Sequence, residues 1–406
     1  MCQGAVHHEG GSEEDGEFAK PSDDFPWDAG VTDAHCHPTD TMSSIASLAS
    51  MRAQTLTIMA TRAQDQELVE SVAGDHGLPD GGTFSSSPTR HVIPSFGWHP
   101  WFSYQLYDDT ASESERTFDA TKDLAEEKAR HYAAVLAPSP TDKDFVESLP
   151  EPTPLSTFID ETRRRLLDHP LALVGEIGLD RAFRLPQAWT DAAHSARDPG
   201  LTPGGREGRL LAQQRVKMDH QVFVMKKQLA LAGELGRAVS VHGVQAHGVV
   251  FDTLAEAWKG HEKKVASRRQ KKVVAPGAED FSDDESEDKN GGSSSSSGPP
   301  RICLHSFGGS DQMLKQYLDE AIPARIFFSF SVAVNFSTPA GERKTPDVIR
   351  ACPDDRILVE SDLHTAGERM DGMLEAMYRK VCEIKGWELR EGVERIRKNY
   401  EDFIFG

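Results

Sequence analysis

Cysteine is scarce in this sequence, and no run of residues is apolar enough to cross a membrane. The five cysteines are widely scattered and form no Cys-x-x-Cys pair, which excludes a disulfide framework and a cysteine zinc finger and indicates a reducing compartment. No stretch approaches the roughly 20 apolar residues of a membrane-spanning helix. The N-terminal residues lack the basic start and apolar run of a signal peptide. The sequence therefore predicts a cytoplasmic or nuclear protein with no membrane partner.

Basic side chains are also in deficit. The 406 residues carry 45 Lys and Arg against 65 Asp and Glu, a formal net charge of -20 at pH 7. Such a surface has no general attraction for phosphate backbones. This excludes a protein that coats DNA non-specifically, but not an enzyme that handles phosphodiesters through metal ions. Hydrophobic residues make up only 38%, below the usual share of a compact domain, so we expect polar insertions within ordered material.

Eight short apolar runs alternate with amphipathic segments along the chain. The runs span residues 30–37, 55–62, 91–100, 172–180, 238–244, 301–307, 325–334 and 356–362. Between them, stretches such as 218–236 place apolar residues at three- and four-residue spacing and end on a glycine, as an amphipathic helix does. Eight strands that alternate with helices predict an α/β protein with a single (β/α)8 TIM barrel.

Polar segments precede and interrupt the predicted barrel. Residues 1–28, rich in Gly, Asp and Glu, are expected to form a disordered tail, and 29–406 the barrel. Residues 259–300 turn from basic to acidic and end in a serine run, which predicts a disordered loop on the face opposite the active site. Its Ser282 and Ser286, set among acids, are a hypothetical phosphorylation patch.

Two other insertions follow strands, and they therefore begin on the catalytic face of the predicted barrel. They span residues 104–154 and 181–217, and we expect them to wall a substrate cleft. The second insertion holds a group of arginines that a phosphate could meet: Arg181, Arg184, Arg206, Arg209 and Arg215.

Metal-binding side chains recur at the C-terminal ends of the predicted strands. Residues two apart in a strand point to the same side, so His35 and His37 could bind one ion, although a surface turn would leave the same pattern. Glu176 lies inside an apolar run, where a buried carboxylate costs several kcal/mol unless it is paired or bound to a metal. Arg325 or Arg356 could supply a simple salt bridge instead.

Five more residues of the same kinds lie at or near the ends of predicted strands. His242 and His305 end the fifth and sixth runs, where a single histidine is more often a satisfied core residue than a ligand. Asp362 closes the eighth run and could cap the next helix. His99 could contact substrate or make a structural hydrogen bond. Asp180 could cap a helix or bond a ligand histidine.

Taken together, four imidazoles and two carboxylates come from five strands at one end of the barrel. They are His35, His37, Glu176, His242, His305 and Asp362. Such a set suits two divalent ions about 3.5 to 4 Å apart with a bridging carboxylate. Imidazoles favour Zn or Mn, and carboxylates with water favour Mg or Mn, so all three metals remain open.

In its ordered series of motifs the chain resembles the TatD family of metal-dependent hydrolases, within the amidohydrolase-like barrels. The motifs are DAHCHP (33–38), FGWHP (96–100), VGEIGLD (174–180), VSVH (239–242), LHSFGG (304–309) and ILVESD (357–362). The resemblance implies hydrolysis of ester bonds, usually phosphodiesters of DNA. It also implies site roles: His35 and His37 would hold one ion, and His242 and His305 the other ion or its water. Glu176 would bridge, and Asp362 would bind metal and manage the proton of the attacking water.

The long insertions are similar to those of the fungal branch of that family. Some members of this branch are named for interaction with a cell-cycle protein, so the resemblance also implies a possible protein partner. The chain departs from the usual family pattern at two places. Residues 243–245 are Gly-Val-Gln where a Ser-Arg-Asp run is usual, and 363–364 are Leu-His where Pro-Tyr is usual. Both places lie near the expected substrate.

Three functions are therefore open. The leading expectation is a deoxyribonuclease or phosphodiesterase that uses a metal-activated water and binds DNA or a small phosphodiester weakly. The second keeps the same site but cleaves an amide or lactone, although Glu176 occupies the strand-four place where a lysine would carry a carbamate bridge. The third is an interaction or scaffold protein with a vestigial metal site, which the altered residues near the substrate and the long insertion favour.

Overall fold

The computed structural model describes residues 20–78, 91–265 and 298–406, and its centre is a sheet of eight parallel strands. The strands are β1 (Thr32–Cys36), β2 (Thr55–Met59), β3 (His91–Phe96), β4 (Leu173–Asp180), β5 (Val239–Val244), β6 (Arg301–Leu304), β7 (Arg325–Phe330) and β8 (Ile357–Val359). Each strand pairs with the next in sequence. Backbone bonds from Asp362 N to His35 O (3.0 Å) and from His37 N to Leu363 O (2.8 Å) join the last strand to the first. The predicted α/β barrel is confirmed.

Helices surround the strands. In the described ranges they are α1 (Ala63–His76), α2 (Leu124–Val135), α3 (Lys143–Ser148), α4 (Leu155–Asp168), α5 (Asp191–Ser195), α6 (Met218–Glu234), α7 (His247–Ala257), α8 (Asp311–Tyr317), α9 (Val332–Asn335), α10 (Pro339–Ala351), α11 (Glu368–Lys385) and α12 (Leu389–Phe405). Local sequence sets their ends. The Asp123 carboxylate accepts a bond from Glu126 N at the start of α2, and α11 ends at Gly386, whose φ of 69° is left-handed.

The C-terminal helix closes the N-terminal end of the barrel. Tyr400 and Phe403 of α12 pack in one apolar cluster with interior residues of the strands, including Phe327. The Tyr400 hydroxyl lies 2.6 Å from Thr57 Oγ1 of β2. Cys303 belongs to the same cluster, as expected for a residue that fills the barrel interior. The opposite, C-terminal end of the strands is thereby left as the face on which a site can form.

The two insertions on the catalytic face share a core of their own. Side chains from both pack together, among them Leu106, Tyr132, Leu185 and Val216. Residues Leu136–Ala137 of the first insertion pair antiparallel with Arg215–Val216 of the second. Arg62, which precedes α1, ties the second insertion to the barrel, because its Nε donates to Pro203 O at 3.2 Å. The insertions therefore form one packed wall at this end of the molecule.

One prediction needs correction. The expected disordered tail reached residue 28, but from Lys20 onward the chain is described and packed. Phe25 and Trp27 are buried in the main core, and Ser22 N donates to Glu375 Oε2 at 2.6 Å. The burial of these aromatic side chains against α11 offsets the conformational entropy that the segment loses when it orders. The polar composition of the segment had given no sign of such compensation.

Residues 1–19 and most of the predicted loop at 259–300, with Ser282 and Ser286, lie outside the described residues. Within the described ranges, each helix is too short or too polar to span a bilayer.

Candidate metal centre

At the C-terminal end of the barrel, seven candidate site residues lie close together. They are His35, His37, His99, Glu176, His242, His305 and Asp362. His35 lies in β1, Glu176 in β4 and His242 in β5, while the other four directly follow strands or lie a few residues beyond them. All seven are buried except for two that are partly buried, His37 and Asp362.

One oxygen of Glu176 faces the histidines of the first strand. Glu176 Oε2 lies 3.4 Å from His35 Nε2 and 3.3 Å from His37 Nε2, and these two nitrogens are 3.0 Å apart. Asp362 Oδ1 lies 3.6 Å from His37 Nε2 and 3.8 Å from His35 Nε2. Two imidazoles and two carboxylates therefore converge on one point.

The other oxygen of Glu176 faces a second group of imidazoles. Glu176 Oε1 lies 2.7 Å from His242 Nδ1, 2.7 Å from His305 Nε2 and 3.1 Å from His99 Nε2. His242 Nδ1 and His305 Nε2 are 3.1 Å apart. A single carboxylate thus stands between two clusters of nitrogen ligands, which is the arrangement that a bridging carboxylate needs.

These separations fit metal coordination. Ligand nitrogens lie about 2.0 to 2.1 Å from a bound zinc ion, so two ligands of one ion stand roughly 3 Å apart. Three buried atoms of the same region, His37 Nδ1, His305 Nδ1 and Glu360 Oε2, have no hydrogen-bond partner among the described residues. Nitrogen and carboxylate oxygen are the donors that Zn, Mn and Mg accept. The side chains present therefore fit divalent metal ions.

The two arginines considered as simple salt-bridge partners for Glu176 are engaged elsewhere. Arg325 pairs with Asp355 at 3.4 Å and with Asp402 at 3.1 Å, and Arg356 pairs with Asp355 at 3.1 Å. The groups that face Glu176 are imidazoles, so its burial is compensated at the centre itself.

Local electrostatics keep the carboxylates ionised. Burial by itself would raise the pKa of Glu176, but the nearby imidazoles, chiefly His99 and His305, outweigh it and lower the pKa well below the usual value. Burial likewise opposes ionisation of Asp362, and the neighbouring imidazoles of His37, His35 and His305 overcome it and lower the pKa of Asp362. Both groups therefore carry the negative charge that a cation requires.

Backbone geometry explains how these side chains approach one another. A Cβ on Gly178 would lie 2.1 Å from His242 O, so only glycine, here with a φ of 147°, allows β4 and β5 to meet this closely. Asp362 has a φ of 55° and Ser306 a φ of 43°, which are left-handed values that are uncommon for residues with a side chain. Both bends occur where the chain leaves a strand at the centre.

Of the two roles that its position allowed, Asp180 has the second: it bonds a candidate ligand histidine, whereas no helix of the described chain begins directly after it for it to cap. Its Oδ1 accepts bonds from the amides of Ala182 (2.6 Å) and Phe183 (2.9 Å) in a turn. Its Oδ2 lies 3.3 Å from His242 Nε2 and accepts a bond from Trp101 Nε1 at 2.5 Å. It therefore orients a candidate ligand from outside the cluster.

Two residues of the centre escaped the sequence predictions, Glu360 and Trp101. Glu360 is fully buried; its Oε1 accepts from Ser306 N at 2.7 Å and lies 3.8 Å from His305 Nδ1. The sequence did carry a signal for Glu360, because this residue is an acid in an apolar run, two residues before Asp362. Trp101 follows the third-strand motif, and nothing in the sequence pointed to its contact with Asp180.

The arginines of the second insertion mainly hold their own loop. Arg184 Nε donates to Ala212 O at 2.6 Å, and Arg206 and Arg209 donate to each other's carbonyl oxygens. Arg209 also stacks over Trp189, 4.4 Å from the ring centroid. The expectation that these three would meet a phosphate therefore gives way to a structural role.

Comparison with known proteins gives consistent matches. A family model described as TatD related DNase matches residues 32–404. The Cut9-interacting protein scn1 of Schizosaccharomyces pombe is 35% identical over 376 residues, which cover 92% of this chain and 98% of that protein. A Saccharomyces cerevisiae protein described as an uncharacterized deoxyribonuclease is 26% identical over 337 residues, 82% of this chain and 83% of that one. The crystal structure of an uncharacterized amidohydrolase from Saccharomyces cerevisiae aligns with a TM-score of 0.50 at 14% identity, over 92% of this chain and 99% of that one; this likeness concerns the fold alone.

Proposed function

Because this chain belongs to the TatD family of metal-dependent hydrolases, we propose that it hydrolyses phosphodiester bonds of DNA with a water activated by two divalent ions. The observation that carries the proposal is Glu176, whose two carboxylate oxygens face separate groups of imidazoles at 2.7 to 3.4 Å. A lone structural carboxylate needs one partner, whereas this arrangement supports two adjacent cations.

We propose that the ligands divide between the two oxygens of Glu176. His35 and His37, with Asp362, would hold one ion on the Oε2 side, and His242 and His305 the second ion on the Oε1 side. Divalent ions held there would lower the pKa of water and would offset the charge that develops on phosphoryl oxygens. Mg, Mn and Zn all suit this mixed set of nitrogen and oxygen donors.

In this mechanism Asp362 takes the proton of the attacking water. Its lowered pKa keeps it ionised at neutral pH and able to accept. Its Oδ1 lies on the side of His35 and His37, and its Oδ2 lies 3.4 Å from Ser306 Oγ, which helps to hold the carboxylate. His99 would contact the substrate from the third strand.

A protein partner is a second proposal, and it is compatible with the first. A relative that is 35% identical and covered over 98% of its length is named for interaction with Cut9. We propose that this chain also binds a partner of the cell cycle, in the cytoplasm or the nucleus. Copurification with a tagged partner, for wild type and for a Glu176→Gln variant, would separate this role from hydrolysis, because binding that survives the substitution does not depend on the centre.

The hydrolase proposal is tested by digestion of labelled single- and double-stranded DNA after reconstitution with Mg, Mn or Zn. Wild type should cleave, and Glu176→Gln and Asp362→Asn should each lose about 100-fold or more of the rate, the effect expected of a ligand or proton acceptor. Glu256→Gln, an exposed carboxylate paired with Lys226 at 2.7 Å, is the matched control and should cleave normally. Equal inactivity of wild type and variants with all three metals would reject a nuclease. A parallel panel of amide and lactone substrates covers the alternative chemistry.

A further inference from the structure

Trp101 contacts the centre through two different groups. It lies in a short 3-10 helix, Pro100–Gln105, directly after the third-strand motif. Its backbone N–H donates to His99 Nδ1 at 3.1 Å, and its indole Nε1–H donates to Asp180 Oδ2 at 2.5 Å. The indole ring is partly buried and stacks on Phe183, with centroids 4.5 Å apart and planes inclined by 10°.

The backbone bond determines which nitrogen of His99 carries a proton. A backbone N–H can only donate, so His99 Nδ1 must accept and must be unprotonated. A neutral imidazole then carries its proton on Nε2, which lies 3.1 Å from Glu176 Oε1. A protonated nitrogen cannot bind a metal. His99 therefore faces Glu176 as a hydrogen-bond donor, although its position resembles that of the ligands around it.

The indole bond favours the same tautomer in His242, but there the other nitrogen faces Glu176. An ionised carboxylate can only accept, so His242 Nε2, 3.3 Å from Asp180 Oδ2, is the protonated nitrogen. A metal ligand must be a neutral imidazole, so in that role the lone pair of His242 is on Nδ1, which points at Glu176 Oε1 from 2.7 Å and at His305 Nε2 from 3.1 Å. A cation bound between these atoms would stabilise such a convergence of acceptors.

We propose that Trp101 is a positioning residue that fixes the Nε2–H tautomer of both His99 and His242, whose rings meet Glu176 Oε1 through opposite nitrogens. As a result, His99 presents an N–H and His242 a lone pair to the same oxygen, Glu176 Oε1. The indole N–H acts through Asp180: it holds Oδ2 in line with His242 Nε2 while the amides of Ala182 and Phe183 hold Oδ1. The inference rests on the proposed function only in that both assign a metal ion to His242.

The test is the affinity of the metal-depleted protein for Mn²⁺, measured by titration calorimetry. Trp101→Phe keeps an aromatic ring beside Phe183 and the backbone bond to His99, and it removes the indole N–H together with the five-membered ring that carries it. It should weaken the binding of one ion by about 10- to 100-fold, as loss of a residue that orients a ligand does, and should lower kcat more than it changes KM. Phe183→Leu is the matched control: it removes the stacked ring but keeps the indole N–H, and should leave the Mn²⁺ affinity within about threefold.

A second readout needs no metal. Two-bond ¹H–¹⁵N spectra of histidine-labelled wild type, assigned with His99→Gln and His242→Gln, should show the Nε2–H tautomer at both residues. In Trp101→Phe the His99 signal should stay and the fixed His242 tautomer should be lost. An Nδ1–H tautomer at His99, or unchanged Mn²⁺ affinity in Trp101→Phe, overturns this inference but leaves the proposed function standing. Wild-type protein that binds no Mn²⁺ overturns the proposed function with it.

Discussion

At the scale of single residues, buried negative charge determines what the end of this barrel can do. Four carboxylates lie there: Glu176, Asp180, Glu360 and Asp362. Each is faced by imidazoles or by N–H and O–H donors. A buried carboxylate without such partners costs several kcal/mol. Removing one member of this group should therefore affect both stability and cation binding.

Glu360 is the carboxylate at which an effect on the stability of the fold can be tested most clearly. Its Oε1 accepts bonds from both Ser306 N (2.7 Å) and Ser306 Oγ (2.5 Å). Glu360→Ala leaves the partly buried Ser306 N without an acceptor and removes the nearest acceptor of Ser306 Oγ. It should lower the free energy of unfolding by about 2 to 4 kcal/mol, measured in urea. Glu360→Gln keeps an oxygen acceptor and should lose clearly less. Equal stability of the alanine variant and wild type would show that the carboxylate does not hold Ser306.

The residues that could be predicted are those with a local signal. Period-two alternation placed the strand-one histidines on one face, and an acid in an apolar run identified Glu176. The same rule applied to Glu360 would have found it. Trp101 carried no such signal, because its bond to Asp180 depends on how the loops after β3 and β4 meet.

At the scale of elements, a neutral buried histidine holds together distant parts of the first insertion. His131 of α2 is fully buried; its Nε2 lies 2.8 Å from Tyr104 O, and its Nδ1 lies 2.9 Å from Thr117 Oγ1. Burial lowers the pKa of His131 from 6.5 to about 4. The unfolded chain therefore binds a proton at this residue at a higher pH than the folded chain does.

Acid should accordingly weaken the fold through His131. The stabilising contribution of neutral His131 is complete above about pH 6.5 and is lost as the pH falls towards 4. The loss reaches about 3 kcal/mol, because each pKa unit corresponds to roughly 1.4 kcal/mol. His131→Gln should flatten this part of the dependence of unfolding free energy on pH, measured by urea denaturation between pH 4 and 8. His194→Gln, at an exposed histidine, is the control and should follow wild type. Parallel curves for His131→Gln and wild type would contradict the assignment.

The order of the elements followed from the sequence, but their ends did not. The eighth run was expected to reach residue 362, yet β8 ends at Val359, and the φ of 55° at Asp362 is incompatible with a strand. The seventh was expected to reach 334, but α9 starts at Val332, where the Ser331 hydroxyl accepts from Val334 N. The capping hydroxyl and the left-handed bends at the ends of strands depend on tertiary contacts near the centre. The alternation of apolar and polar residues along a strand does not encode such contacts.

At the scale of the whole molecule, the net charge of -20 leaves the proposed metal ions as the main source of attraction that a phosphate substrate would meet. The arginines that could have formed a basic surface, such as Arg184 and Arg209, are bonded to the carbonyls of their own loop. Attraction of a polyanion would then come from divalent ions at the barrel end, because the protein field as a whole repels it. The charge balance could be read from the sequence, whereas the engagement of the arginines could not.

Helix α12 fills the end of the barrel opposite the centre. Phe403 is fully buried against Phe327, with ring centroids 5.4 Å apart, whereas Phe405, two residues on, is 41% exposed. Phe403→Ala should therefore cost about 3 to 5 kcal/mol and Phe405→Ala less than about 1 kcal/mol. Because strands from the whole chain contact this helix, the loss should appear as a shift of one unfolding transition, with tryptophan fluorescence and far-ultraviolet circular dichroism coinciding. Equal losses in the two variants, or separate transitions for the two probes, would mean that α12 is a peripheral element and that the barrel stands without it.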